Sequence, residues 1–76
     1  MRSIIAKTDM LVEDRIKKGF SMRKLSRAAD IDVITIHRIE TKKTQKVSIS
    51  TAKKICTALG VAFDDLFEIV EVNKGA

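Results

Sequence analysis

Side chains suited to contact a polyanion are concentrated in the middle of the chain. Arg38 carries a guanidinium that can bond bidentately to the O6 and N7 atoms of guanine, and its alternative roles are a salt bridge or a phosphate contact. The adjacent His37 is the only histidine, and it either contacts DNA or faces solvent. Polar and basic residues follow, predicted to contact phosphates unless they form a solvated loop. They are Thr41, Lys43, Gln45, Lys46 and Ser48.

The residues that enzymes use are not arranged for catalysis. The sequence contains no nucleophile paired with a base, no glycine-rich phosphate loop and no metal-ligand spacing. Asp64 and Asp65 are adjacent and fit the first turn of a helix, whose dipole favours acidic groups. Cys56 is the only cysteine, so we expect a buried structural thiol and no internal disulfide. We therefore predict no enzymatic activity, no metal and no cofactor.

The charge distribution also favours an anionic partner. The 76-residue chain has a net charge of +5, but residues 15–54 hold 12 basic and 3 acidic side chains, and both flanking segments are acidic. A basic centre of this kind indicates nucleic acid as the partner, with a solvated lysine surface as the alternative. No apolar run is long enough to cross a membrane. We expect one soluble, cytoplasmic domain that is associated with the nucleoid when bound to DNA.

Apolar periodicity and capping residues predict five helices. They cover Asp9–Lys18, Met22–Ala29, Val33–Thr41, Ile49–Leu59 and Phe63–Val70. Gly19 and Gly60 should end the first and fourth helices, because glycine often follows the last helical residue. The first helix could instead begin at Ser3, since Ile4 and Ile5 fit either a helix extension or a loose arm. We predict an all-α, compact five-helix bundle over residues 9–70, with an N-terminal arm or helix extension at 1–8 and a tail at 71–76.

A three-residue turn joins the second and third predicted helices. Asp30 adopts a left-handed conformation more easily than most residues, Ile31 should plug the core, and Asp32 is a good N-cap. Two short helices joined in this way form a helix-turn-helix, whose second helix enters the DNA major groove with its N-terminal residues first. Val33 and Ile34 lie at that end and would suit contact with thymine methyl groups, unless one of them joins the core.

Five short stretches occur in a consistent order and spacing. They are 16–25 (IKKGFSMRKL), 29–32 (ADID), 35–40 (TIHRIE), 55–61 (ICTALGV) and 64–67 (DDLF). As a set they resemble the Cro and lambda-repressor-like (XRE-type) helix-turn-helix proteins, and the resemblance spans Leu11 to Phe67. It implies a five-helix bundle, sequence-specific binding to double-stranded DNA and, usually, a homodimer.

The resemblance also implies roles for individual residues. Arg15 and Glu40 occupy the positions of a partly buried ion pair that joins the first helix to the end of the third, where the fork of arginine suits a carboxylate. Such a pair would hold rigidly the third predicted helix, which is the recognition helix that enters the major groove. Further predicted phosphate contacts on the second and third helices are Met22, Arg23 and Thr35, with packing as the alternative role of Thr35.

Four positions depart from the pattern of the family, and one of them is Ser26, which replaces the usual alanine of the second helix. Met22 replaces a glutamine that usually contacts a phosphate, so the grip on the DNA backbone should differ here. Asp30 replaces the glycine of the turn. Lys42 stands where a glycine commonly follows Glu40 by two residues.

Two functions remain open at this point. The first is a dimeric repressor that binds a near-palindromic operator, with no small-molecule effector indicated. Its dimer surface is predicted to come from Phe63, Leu66, Phe67, Ile69 and Val70. The second is a protein-interaction module, antitoxin-like or antirepressor-like, that retains the fold without reading specific DNA. The apolar Val33 and Ile34 give the second some support.

Overall fold

A computed structural model of the protein describes residues 2–71, and most of the predicted tail lies outside them. These residues form five helices and three strands. In order they are β1 (Arg2–Ala6), α1 (Thr8–Lys17), α2 (Met22–Ala29), α3 (Val33–Glu40), β2 (Lys46–Val47), α4 (Ile49–Leu59), α5 (Phe63–Leu66) and β3 (Phe67–Glu71). No helix within residues 2–71 has the length and apolar character needed to cross a membrane.

The predicted all-α fold class is wrong, because the helices are accompanied by a three-stranded antiparallel sheet. Its strand order is β2-β1-β3, so the first strand of the chain lies in the centre. Ile4 is opposite Val47 on one side and Ile69 on the other. The β-branched pairs Ile4-Ile5 and Ile69-Val70 favour strands, but each strand needs partners that are far away in the sequence.

The fifth helix is much shorter than its predicted extent of Phe63–Val70. It ends at Leu66, and Phe67 already has extended backbone angles of φ −136° and ψ 160°. The next residues pair with β1, with Phe67 opposite Ala6 and Glu71 opposite Arg2. In this pairing the backbone N–H and C=O groups of β3 bond to β1, whereas in a longer helix they would have bonded within the helix.

The core lies between the helices and one face of the sheet. The largest fully buried side chains come from the five helices and β3. They are Leu11, Leu25, Ile36, Ile39, Ile55, Leu66 and Phe67. The paired residues Ala6 and Phe67 both face the core. Because side chains alternate along a strand, the pair of Ile4 and Ile69, two positions away in each strand, lies on the same face of the sheet. Ile69 lies beyond the helices there and is 60% exposed.

Four helices end in the same backbone turn, in which one residue adopts a left-handed conformation. The left-handed residues are Gly19 (φ 76°), Asp30 (φ 56°), Lys42 (φ 64°) and Gly60 (φ 68°). After α2, for example, the Asp30 N–H donates to the Arg27 carbonyl and the Ile31 N–H donates to the Ser26 carbonyl. This pair of bonds defines the Schellman motif, and it satisfies the last carbonyls of the helix.

Candidate nucleic-acid interface

The helix-turn-helix is built from local capping interactions at each of its ends. Ser21 Oγ accepts a hydrogen bond from the Lys24 N–H (3.1 Å) and starts α2. Asp32 Oδ1 accepts from the Ile34 N–H (2.9 Å) and starts α3. Between the two helices, the half-buried Ile31 packs against the core. The direction of α3 is therefore determined at its first turn.

The outer face of α3 is a continuous exposed stripe. Ile34, His37, Arg38 and Thr41 follow at intervals of three and four residues, so their side chains lie on one side of the helix. All four are exposed. We call this set the outer stripe; it combines an apolar, an imidazole, a cationic and a hydroxyl side chain.

The two apolar residues at the start of α3 differ in orientation. Val33 is half-buried, and its spacing aligns it with the buried Ile36 and the largely enclosed Glu40. Ile34 is 54% exposed and belongs to the outer stripe. Only the second of these two residues is therefore fully available to a partner.

The C-terminal end of α3 is held by a buried ion pair. Arg15 Nε donates to Glu40 Oε2 (2.6 Å) and Arg15 Nη2 donates to Glu40 Oε1 (2.8 Å), which is the bidentate geometry of arginine and carboxylate. Arg15 Nη1 also donates to the Phe20 carbonyl (2.8 Å). The side chains are only 12% and 5% exposed. The pair implied by the resemblance is thus present and ties α3 to both α1 and the turn that follows it.

Thr8 is a positioning residue that the sequence analysis missed. Its side chain is buried and Oγ1 donates to the Ile39 carbonyl (3.1 Å), which joins the start of α1 to the end of α3. The predicted start of the first helix, at Asp9 or Ser3, left Thr8 out of consideration. A threonine near a helix start is usually read as a cap, but here the N-cap is Lys7. Only the contact of Thr8 with Ile39 reveals that it holds α3 in position.

The predicted phosphate contacts fall into two groups. The first group has exposed side chains and comprises Arg23, Lys43, Gln45 and Lys46. The others are engaged within the protein. The Thr41 hydroxyl donates to the His37 carbonyl (2.8 Å), and the Ser48 hydroxyl donates to Thr51 Oγ1 (2.9 Å) while it caps α4.

A phosphate oxygen accepts hydrogen bonds and donates none, so it needs a donor with a free proton. The hydroxyl protons of Thr41 and Ser48 are already used, and both residues would have to reorient to serve a phosphate. Met22 is half-buried and packs against the core, and Thr35 is half-buried as well. Thr41, Ser48 and Met22 therefore already make contacts within the protein, and Thr35 is only partly accessible.

The predicted dimer surface needs correction at two residues. Leu66 and Phe67 are both 0% exposed, because they fill the space between α5, β3 and the helical core. They cannot present an apolar surface to a second chain. Phe63 and Val70 are half-buried, and Ile69 is the exposed member of the set.

An open apolar groove of about 640 Å³ borders the sheet. We call it the sheet groove, and its apolar lining comprises Ile4, Val47, Ile49, Phe63 and Ile69. Ile49, the first residue of α4, is 76% exposed here. Lys46 and Ser48 also line this groove, so it adjoins the basic loop that follows α3.

Cys56 lies in the core at the inner face of α4. Burial raises the pKa of the Cys56 thiol, and the nearby Asp65 carboxylate raises it further. The thiol is therefore protonated at neutral pH and has little nucleophilic character. Among residues 2–71, no group of three or more His, Cys, Asp or Glu side chains is placed to hold a metal ion.

Comparison with known proteins places this geometry in a family. The sequence model of the Cro/C1-type HTH DNA-binding domain matches residues 11–71, which include α2, the turn and α3. The crystal structure of the hypothetical transcription factor NHTF from Neisseria has a similar fold, with a TM-score of 0.67 and 23% sequence identity over 80% of this chain and 76% of that one. The comparison with curated proteins gives no match. The chain belongs to the family of Cro/C1-type helix-turn-helix DNA-binding domains.

Proposed function

We propose that this protein is a transcriptional regulator that binds a specific double-stranded DNA sequence through the outer stripe of α3. The supporting observation is that Ile34, His37 and Arg38 are exposed together on a helix whose two ends are held by buried or capping contacts. A rigid helix of this kind fits the width of the major groove.

Contacts to bases and to phosphates come from different elements in this proposal. Arg38 lies on the outer stripe and reads guanine, since its guanidinium matches two acceptors on that base. Arg23 from α2, Lys43 from the loop after α3 and Lys46 from β2 are exposed cations. They bind the two backbones of the groove and set the register of the helix.

We further propose that two copies bind a near-palindromic operator and act as a repressor. One eight-residue helix reads few base pairs, so a second copy about 34 Å away along the duplex raises specificity. The sheet groove is the proposed contact between copies, because it exposes Ile49 and Ile69 beside the half-buried Phe63. Occupation of such an operator is enough to exclude polymerase, so repression requires no additional activity.

DNA binding is tested by selecting duplexes from a random pool and measuring their affinity by fluorescence anisotropy at several salt concentrations. Arg38→Ala should cost about 1–3 kcal/mol and relax specificity at one position. Lys46→Ala should weaken all duplexes alike and lower the salt slope by about 1. Lys53→Ala, an exposed lysine on α4, is the control and should change little. A pool without enriched sequences, or an affinity independent of salt, would contradict the proposal.

The dimer is tested separately by sedimentation equilibrium. Ile69→Lys places a charge in the sheet groove and should give a monomer with weaker binding to a full operator. Glu68→Lys is the matched control, because it alters the neighbouring residue on the opposite face of β3. A monomeric wild-type protein, or equal behaviour of the two variants, would show that the groove is not the interface.

The sheet groove also supports a second candidate function, a protein-interaction module of antitoxin-like or antirepressor-like type. In that case the groove would hold a different protein. The double variant Arg38→Ala with Lys46→Ala distinguishes the two functions. Loss of DNA binding together with loss of regulation of the target promoter favours the regulator, whereas regulation that persists without DNA binding favours the module.

A further inference from the structure

We propose that Ile34 recognises the 5-methyl group of one pyrimidine in each half-site, so that affinity depends on that methyl group. The inference rests on the proposed function, since it requires α3 to lie in the major groove. It goes further by assigning one residue to one chemical group and by extending the ligand to methylated cytosine.

The position of Ile34 is well defined by its surroundings. It lies in the first turn of α3, the part of a recognition helix that reaches furthest into the groove. Its backbone N–H is held by Asp32 Oδ1 at 2.9 Å, and its side chain is 54% exposed. Val33 beside it is half-buried and lies on a different side of the helix, so it is less available for the same contact.

The chemistry of the major groove limits what an isoleucine can recognise there. The edges of the four bases present hydrogen-bond donors and acceptors, and the single apolar group among them is the 5-methyl of thymine. An isoleucine side chain against any other part of an edge would remove water from a polar group and offer no hydrogen bond in return, which is costly. Ile34 therefore favours a methyl group and disfavours unmethylated cytosine.

The outer stripe also limits where that methyl group lies. Arg38 is one helical turn after Ile34 on the same side, and side chains with this spacing are about 5–6 Å apart at Cβ. Stacked base pairs are about 3.4 Å apart. The methyl-bearing pyrimidine is therefore expected within about two base pairs of the guanine that Arg38 reads.

Cytosine methylated at C5 carries the same methyl group at the same ring position as thymine. A contact through the methyl group alone cannot separate these two bases. Methylation of a cytosine at this position should therefore strengthen binding, which makes the operator sensitive to that modification.

The test uses a duplex recovered from the random pool, with each thymine replaced in turn by deoxyuridine. Deoxyuridine keeps the pairing and hydrogen-bonding groups of thymine and lacks only the methyl. At one thymine in each half-site the wild-type affinity should fall about three- to fivefold, the value of one buried methyl group. The same replacement should have little effect on Ile34→Ala, while His37→Ala should retain the full loss.

The second arm replaces the identified T·A pair by C·G, with and without a methyl group at C5. The wild-type protein should bind the methylated duplex about three- to fivefold more tightly, and Ile34→Ala should not distinguish the two duplexes. Ile34→Val, which keeps a branched apolar side chain, should keep most of the difference. Because Ile34 is exposed, these substitutions should leave the circular dichroism spectrum unchanged.

The outcomes separate this inference from the proposed function. If a motif is enriched but deoxyuridine costs the same in the wild type and in Ile34→Ala, methyl recognition is wrong while DNA binding stands. A motif with no thymine near the guanine read by Arg38 would overturn the inference in the same way. If no duplex is enriched at all, both proposals fail together.

Discussion

The residue type in the left-handed turn after α1 and α4 differs from that in the turns after α2 and α3. All four end in the same left-handed turn, but α1 and α4 use Gly19 and Gly60, whereas α2 and α3 use Asp30 and Lys42. Asp30 and Lys42 are the residues that border α3 on its two sides. The recognition helix α3 thus lies between two non-glycine residues in this conformation, which aspartate adopts more readily than lysine.

The difference indicates how each pair of helices is held in place. A glycine adopts the left-handed turn without cost, so the ends of α1 and α4 are determined locally. A side chain at this position costs about 1–2 kcal/mol, and contacts elsewhere must offset it. For α3 these contacts are the ion pair of Arg15 and Glu40 and the bond from Thr8 to Ile39.

Glu40→Ala should have the largest effect on stability among the changes that test this difference. It leaves the Arg15 guanidinium buried without its counter-charge, and removing one partner of a buried pair costs about 3–5 kcal/mol. The free energy of unfolding from urea titration is the measurement. Glu13→Ala is the control, since Glu13 and Lys17 form an exposed pair on α1 and little change is expected. Equal effects would mean that the pair does not hold α3.

Gly60→Ala should destabilise the protein by about 1 kcal/mol, because alanine is strained at φ 68°. A Cβ at Gly60 would lie 3.5 Å from Lys18 Nζ, which is an ordinary contact, so the cost comes from the backbone. Gly19→Ala has no atom within 4 Å of the added Cβ and should cost the same amount. Thermal unfolding of both variants tests this, and a large difference between them would implicate side-chain packing instead.

Lys42→Gly should stabilise the protein by about 0.5–1 kcal/mol. Glycine relieves the left-handed strain, and the greater entropy of the unfolded chain offsets part of this gain. The ion pair that is lost, Lys42 with Asp9 at 3.8 Å, is exposed and weak. Lys43→Gly is the control, and it should lower the melting temperature because no left-handed strain is relieved. A melting temperature for Lys42→Gly at or below that of the wild type would contradict this account.

Asp30→Gly should give the smallest change, a gain of a few tenths of a kcal/mol. Aspartate tolerates the left-handed region better than lysine does, so less strain is available for release. A gain larger than that of Lys42→Gly, measured in the same thermal unfolding series, would show that the turn before α3 is more strained than its angles indicate.

The parts of the fold that the sequence predicted depend on short-range signals. The turn at Asp30, the caps at Ser21 and Asp32, and the glycine ends of α1 and α4 all follow from residues within one or two helical turns. The sheet depends on contacts between residues far apart, such as Ile4 with Ile69, and periodicity within a short window carries no information about such a partner.

The candidate site, like the fold, was predictable in its residue types but not in the features that depend on packing. The composition of the outer stripe and the basic loop follows from the sequence, and the pair of Arg15 and Glu40 follows from the resemblance. The different exposures of Val33 and Ile34 depend on how α3 rotates against the core, which the apolar pattern VITI does not determine. The burial of Phe67 likewise depends on β3, which the helix assignment excluded.

The central position of β1 has a consequence for the order in which the molecule assembles. Among residues 2–71, β1 precedes all five helices along the chain, whereas its five-residue pairing partner β3 follows them. Contacts between segments so far apart in sequence form slowly, because the entropy of closing the intervening chain is lost before the contacts stabilise it. We therefore expect the helix-turn-helix to form on the growing chain before β3 pairs with β1, and a chain released before Phe67 to retain only the short pairing of β1 with β2.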